Sequence, residues 1–256
     1  MTRTKRLARL ATALAFLTRI PVRRADRSPE AIGRSAAAFP AVGALLGLSS
    51  VGVLWLVRGI PATLGAVLIV LTGVLMTGTL HLDGLADTAD GFGGGRTPED
   101  VLRIMRDHQI GTYGAVALIF MVMLQVMAIS NLIDRGIAAR VLVVAPTAGR
   151  WAMVVLGRWF PYARRQSGLG RVLTDHLRTR TLVEATVLAA VIVSAAAGWR
   201  GAAGLVISAA LAIGFGLVCR RRIGGITGDT LGATAVLCET TVLGAAVALP
   251  SVAWHP

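Results

Sequence analysis

The sequence predicts an all-α integral membrane protein: a polytopic bundle of about seven transmembrane helices, with an N-terminal helix lying at the membrane interface. Three observations predict it. Apolar residues make up 55% of the chain and charged residues only 15%, and the mean hydropathy is +0.70, which is outside the range of water-soluble domains. The apolar residues gather into runs of about twenty, the length that crosses a bilayer as a helix. The polar residues, and most of the Lys and Arg, fall between those runs. No repeat or low-complexity linker divides the chain, so residues 1–256 read as one domain.

The elements follow in order. Residues 1–37 are basic, with Lys5, Arg6, Arg9, Arg19, Arg23, Arg24 and Arg34 among them. A cleaved signal peptide fits poorly, because Arg19, Pro21, Arg23 and Arg24 stand where a small-residue cleavage site would be. An amphipathic interfacial helix ended by Pro21 fits better. Apolar spans are expected at 38–57, 62–80, 115–133, 137–156, 182–199, 202–219 and 231–254. The short turns at 58–61, 134–136 and 200–201 pair neighbouring spans as antiparallel hairpins. Small residues such as Gly43, Gly47, Gly65 and Gly73 allow close packing of helices in lipid.

Positive charge sets the orientation. Lys and Arg concentrate in 1–37, 81–114, 157–181 and 219–230, whereas the opposite turns hold only Arg58, Arg135 and Arg200. By the positive-inside rule the N-terminus and the charged segments face the cytoplasm and the C-terminus faces out. The net charge of +13 reads as this topology signal plus attraction to anionic lipid and phosphates, not as a nucleic-acid surface, since stacking aromatics are sparse. Cys219 and Cys238 show neither zinc spacing nor a disulfide framework, and read as packing residues.

The chemistry centres on residues 81–114, HLDGLADTADGFGGGRTPEDVLRIMRDHQIGTYG. Asp83, Asp87 and Asp90 are spaced i, i+4, i+7, which puts three carboxylates on one helical face with no cation between them. A bland reading is a solvated acidic helix start capped by Asp83. The functional reading is a site for a hard cation with oxygen ligands, Mg²⁺ first. The nearby Gly84, Gly91, Gly93, Gly94 and Gly95 let backbone approach a ligand. Arg96, Arg103 and Arg106 follow and suit phosphate oxygens. Carboxylates, metal, glycines and arginines together describe phosphoryl transfer on a pyrophosphate. His81 is a candidate base or supporting group, Asp107 a candidate catalytic carboxylate, and Gly111, Thr112 and Tyr113 candidate substrate contacts at the mouth of the third span.

Two further carboxylates lie near the end of the chain. Asp229 is at the mouth of the last span, where a helix N-cap would explain it. Glu239 lies ten residues on, about 15 Å deeper at 1.5 Å per residue. A carboxylate that deep is expensive, and Arg150, also within a span, is its most economical partner. Asp229 and Glu239, close to three helical turns apart, can face one cavity, and with Arg150 they are expected to bind substrate; a purely structural Arg150–Glu239 pair is the alternative.

At these residues the chain resembles a known family. The 81–114 run closely resembles the signature of the cobalamin synthase (adenosylcobinamide-GDP ribazoletransferase) family. FLTRIPV at 16–22, FPAVGALLG at 39–47, Arg150-Trp151, and GDTLGA at 228–233 with the later Glu239 match in order. One departure is His108-Gln109, where the family more often has Ser-Arg. The resemblance implies a multi-pass enzyme of the bacterial inner membrane that joins adenosylcobinamide-GDP to α-ribazole or its 5′-phosphate, requires Mg²⁺ and releases GMP. Asp83, Asp87 and Asp90 would then be ligands, and Asp107 or Asp90 would take the hydroxyl proton. The oligomeric state is left open, a homo-oligomer included. A CDP-alcohol phosphotransferase uses similar logic, but Asp87 stands where its signature has Arg. A transporter or channel is disfavoured because the acids cluster in a loop and not at the midplane.

Overall fold

In the structure, a computed structural model, residues 3–23, 25–107, 109–164 and 169–248 are described. The last six residues of the expected span at 231–254, together with Arg24 and His108, lie outside them. The helices are α1 (Arg3–Leu17), α2 (Pro29–Ser35), α3 (Phe39–Leu56), α4 (Ala62–Thr77), α5 (Leu80–Gly94), α6 (Pro98–Ile104), α7 (Thr112–Asp134), α8 (Ala138–Trp159), α9 (Leu169–His176), α10 (Thr179–Ile223) and α11 (Gly228–Ala248). A 3₁₀ turn, Ala36–Ala38, leads into α3.

α8 is the axle of the bundle. It packs against α3, α10 and α11, and most of its length is buried. Glycines set how close its neighbours come. A Cβ on Gly43 would lie 2.3 Å from the Pro146 carbonyl oxygen, and one on Gly47 2.3 Å from that of Leu142. Pro146 has no N–H, so the Leu142 carbonyl four residues earlier lacks its helical donor. Gly47 lets the α3 backbone close over that carbonyl, away from lipid. Gly149 does the same toward α11, where a Cβ would meet the Ala235 oxygen at 2.7 Å. Outward faces carry large exposed apolar residues, among them Leu71, Leu75, Ile119, Phe120, Val187 and Ile213, as expected of surface in contact with acyl chains.

Five of the described helices are long and apolar enough to cross a membrane, or six if α4 and α5, bent by 90°, are taken together. The expected count of seven treated α10 as two spans. Its 45 residues are indeed two helices, joined at Ala197 and Gly198, where Gly198 has φ 57° and ψ −140°. The chain doubles back there, since a Cβ on Gly201 would lie 2.1 Å from the Val193 oxygen. The break falls before the expected turn at 200–201, because Gly198 can adopt that backbone conformation and Trp199 and Arg200 cannot without strain.

α1 is less of a surface element than its sequence suggests. Ala13 and Leu17 are fully buried, α1 packs on α2 and α3, and Phe16 stacks on Phe39 with ring centroids 5.7 Å apart. Arg19, just after α1, donates its N–H to the Met76 carbonyl at 2.8 Å. Its side chain fills the space beside Gly78. There the chain turns through 90° into α5, with Gly78 at φ 61° and Thr79 at φ 64°. The span expected at 62–80 therefore ends at Thr77.

Gly47→Leu is expected to lose most folded protein, read as the monodisperse fraction after detergent extraction, because backbone and not a movable side chain occupies the space. Gly52→Leu on the same helix, with nothing within 4 Å of its Cβ position, should extract like the wild type. Overpacking alone costs about 1–3 kcal/mol.

Candidate active site

The corner at 78–79 turns α5 away from the axis of α4 and against α6, α7 and α11. α5 and α11 meet most closely at Gly84, where a Cβ would lie 2.6 Å from the Asp229 carbonyl oxygen. Asp83 is exposed, and Asp87 and Asp229 are half-buried. Burial, then the charges of Asp229 and Asp83, push the Asp87 carboxyl up to about 7, with Arg164 opposing them. The three carboxylates therefore crowd one another, which is the electrostatic signature of a place that favours a cation.

Asp229 does not serve as the helix cap. Thr227 and Thr230 exchange that duty: the Thr230 N–H donates to Thr227 Oγ1 at 3.2 Å and the Thr227 N–H to Thr230 Oγ1 at 2.8 Å, in the manner of a capping box. Asp229 Oδ2 instead accepts from Arg164 at 2.7 Å, and Arg164 also donates to the Met105 carbonyl at 3.3 Å. Arg164 is placed by a backbone zipper. The Ile226 N–H donates to the Pro161 oxygen and the Ala163 N–H to the Ile226 oxygen, both at 2.8 Å. Gly225 permits this, since a Cβ there would lie 2.2 Å from the Pro161 oxygen. Tyr162, on the same segment, accepts from the Gly228 N–H at 3.3 Å.

Asp90 is engaged differently from the sequence expectation. Its carboxylate is buried and accepts from the Gly111 and Gly114 N–H groups, each at 2.8 Å. Both oxygens thus cap the first turn of α7. A Cβ on Gly111 or Gly114 would come within 2.4 Å of that carboxylate. The acidic face thus gains Asp229 beside Asp83 and Asp87, and the charge of Asp90 also raises the Asp87 carboxyl. Among the described residues no three His, Cys, Asp or Glu side chains are placed to hold an ion by themselves.

The other expected residues are distributed around this face. Thr112 and Tyr113 are exposed at the start of α7, beside Gly111. Arg103 is exposed and lies 3.6 Å from Asp100. Arg106 is exposed, and its charge acts on Tyr162. Asp107 is exposed, and its Oδ1 accepts from the Gln109 N–H at 3.1 Å. The glycines of α5 mostly serve packing. Gly91 and Gly95 admit α6, Gly93 faces Tyr113 and Gly84 admits α11; Gly94 has only the tip of Ile104 within contact.

Arg150 and Glu239 do form the expected ion pair. With His81 they line a partly open pocket of about 70 Å³ that Gln125 and Thr77 also line. That volume holds a few waters and no nucleoside. Both ring nitrogens of His81 are buried without a partner.

Sequence reasoning missed Tyr162, Arg164 and Arg222. Arg222 donates to the Phe92 carbonyl, and to the Gly95 carbonyl at 3.2 Å, closing the C-terminal end of α5. No spacing distinguished these residues within two basic segments; only the run Phe160-Pro161 before Tyr162, a helix stop, hinted at an ordered turn.

Fold and site together define a polytopic helical membrane protein with a carboxylate-rich, arginine-flanked face at one end of its bundle. A family profile described as Cobalamin-5-phosphate synthase matches residues 9–247, and the chain belongs to that family. It is similar to the adenosylcobinamide-GDP ribazoletransferase of Syntrophobacter fumaroxidans, 39% identical over 242 residues covering 93% of this chain and 97% of the relative. The protein of that name from Pseudomonas syringae pv. syringae is 41% identical over 236 residues, 90% and 95% of the two chains. That from Shewanella oneidensis is 36% identical over 232 residues, 89% and 88%. No solved structure matches.

Asp90→Asn should lower the thermal midpoint in detergent while leaving the Mg²⁺ concentration for half-maximal turnover unchanged. An amide keeps one acceptor and turns an NH₂ toward a backbone N–H, which costs about 1–3 kcal/mol. A raised Mg²⁺ requirement at unchanged stability would instead make Asp90 a ligand.

Proposed function

We propose that this chain is an adenosylcobinamide-GDP ribazoletransferase whose reaction takes place on the face formed by Asp83, Asp87 and Asp229, with Mg²⁺ as its metal. The observation that carries the assignment of the site is the close approach of α5 to α11 at Gly84, which brings Asp229 and its partner Arg164 to the helix that bears Asp83 and Asp87. Their donor set is hard oxygen, which fits Mg²⁺, a cation usually bound by one or two carboxylates plus substrate phosphates. Asp83 and Asp87 would hold it, with Asp229 supporting. Bound there, it supplies neutralisation of the pyrophosphate charge as GMP departs.

The remaining chemistry belongs to the chain. A ribose hydroxyl oxygen of α-ribazole bonds to the phosphorus on the cobinamide arm, and the bond from that phosphorus to the bridging oxygen of GMP breaks. GMP carries the bridging oxygen away. Asp90 is committed to α7, so Asp107, exposed at the rim, accepts the hydroxyl proton. Arg103 and Arg106, exposed on the same side, and Arg164, pinned by Asp229, spread the charge that develops on the phosphoryl oxygens. Thr112 and Tyr113 border the entrance to the site. His81, near the start of α5, and the Arg150–Glu239 pair act as scaffold: the pair is retained because either charge alone would be costly in the membrane.

The test is release of GMP and formation of the joined corrinoid by purified protein given adenosylcobinamide-GDP, α-ribazole and Mg²⁺. Asp83→Asn and Asp87→Asn should each lower kcat by about 100-fold or more with an unchanged thermal midpoint, the scale seen when one transition-state charge partner is removed. Near-normal turnover of either variant at limiting Mg²⁺ would remove that residue from the site.

We further propose that the N-terminus and the acidic face are cytoplasmic, in the bacterial inner membrane. The support is the concentration of Lys and Arg in the segments at that end. Gly94→Cys and Ile60→Cys should react with an impermeant thiol reagent from opposite sides of sealed vesicles. Both native cysteines are buried. Labelling of Gly94→Cys from the periplasmic side would reverse the orientation.

A further inference from the structure

A second cleft, of about 630 Å³, opens between α1, α2 and the junction of α9 with α10. Lys5 and Arg9 of α1, Arg34 of α2, and Arg178 and Arg180 at the start of α10 line it, with His176 at the end of α9. Three carboxylates stand against them: Glu184 is paired, Asp26 is hydrogen-bonded and feels the Arg34 charge, and Glu30 lies near a histidine. Glu184 accepts from Arg9 at 2.5 Å and from Arg180 at 3.0 Å. Glu30 lies 3.8 Å from His176 Nε2. Asp26 Oδ1 accepts from the Ser28 N–H at 2.9 Å. Lys5, Arg34 and Arg178 have no carboxylate within ion-pair distance among the described residues. The Arg9–Glu184–Arg180 network ties α1 to α10 and so holds the walls of the cleft in place.

The cleft lies where lipid-facing surface begins. Within two turns of Arg180, Val183 and Val187 are 55% and 59% exposed. Cations at the polar end of a span, beside bare apolar surface, match a phosphate with acyl chains attached. A soluble phosphate would satisfy the cations and leave the apolar flank uncovered.

We propose that this cleft binds the phosphate headgroup of an anionic phospholipid, with Lys5, Arg34 and Arg178 as its contacts and the acyl chains lying against Val183 and Val187. The lipid bridges α1 to α10 at the membrane surface, beside the ion-pair network that already joins them. None of these residues belongs to the acidic face, so the proposal stands apart from the assignment of the reaction.

Native mass spectrometry of the full chain in detergent reads it directly, with phosphatidylglycerol, phosphatidylcholine and inorganic phosphate as probes. The wild type should retain phosphatidylglycerol over phosphatidylcholine. Lys5→Gln with Arg34→Gln and Arg178→Gln should weaken phosphatidylglycerol retention on the order of 100-fold, about five-fold per cation removed. Should the triple variant not fold, Arg178→Gln alone should lose about five-fold on the same scale. Equal retention by wild type and variant would overturn the site. Displacement of phosphatidylglycerol from the wild type by millimolar inorganic phosphate would overturn the lipid assignment and give the cleft to a soluble phosphate.

Discussion

The corner at Gly78–Thr79 is the constraint on which the acidic site depends. A helix that continued straight from α4 would carry three aspartates out into solvent along its own axis, with nothing beside them. Turning by 90° instead sets α5 against α6, α7 and α11. The turn is held from outside: Arg19 donates its N–H to Met76 and packs its side chain on Gly78. Thr79 is the one non-glycine residue with positive φ among the described residues, and a β-branched side chain there carries strain that the surroundings must offset. The FLTRIPV stretch is thereby linked to the acidic face by mechanics and not by contact with it.

Much of the fold was legible in the sequence because the bilayer imposes a length on every helix that crosses it. Among the described residues the seven apolar runs fall on helices, and the glycines flagged at 43 and 47 are where α3 meets α8. The pairing of Arg150 with Glu239 was legible for a related reason, since two costly charges in apolar surroundings have few other solutions. The break in α10 was misplaced by a few residues because Arg200-Gly201 has the composition of a turn, whereas the backbone needed a glycine at 198.

The site was legible in part. Helical spacing correctly put Asp83 and Asp87 on a common helix, but spacing says nothing about which neighbours arrive. Asp90 obeys the same period, yet its partners Gly111 and Gly114 come from the start of α7. Asp229, expected at the substrate site, had a helix cap as its plain alternative, and Thr227 and Thr230 fill that role. Arg164 reaches it because two loops are joined backbone to backbone at Pro161, Ala163 and Ile226. Such joining leaves only a glycine, Gly225, as its trace in the sequence.

The Asp90 cap has a consequence for how sequences of this kind evolve. Asp90, Gly111 and Gly114 form one mechanical unit in which no member changes freely: a shorter side chain strands two amides, a neutral amide strands one, and any side chain at either glycine collides with the carboxylate. Selection must therefore retain the three together, or replace them together. In an alignment they would look as invariant as residues that handle substrate, although their role is to fix one helix onto the end of another. An invariant aspartate beside a metal site is thus a hypothesis about chemistry only after its two oxygens have been accounted for.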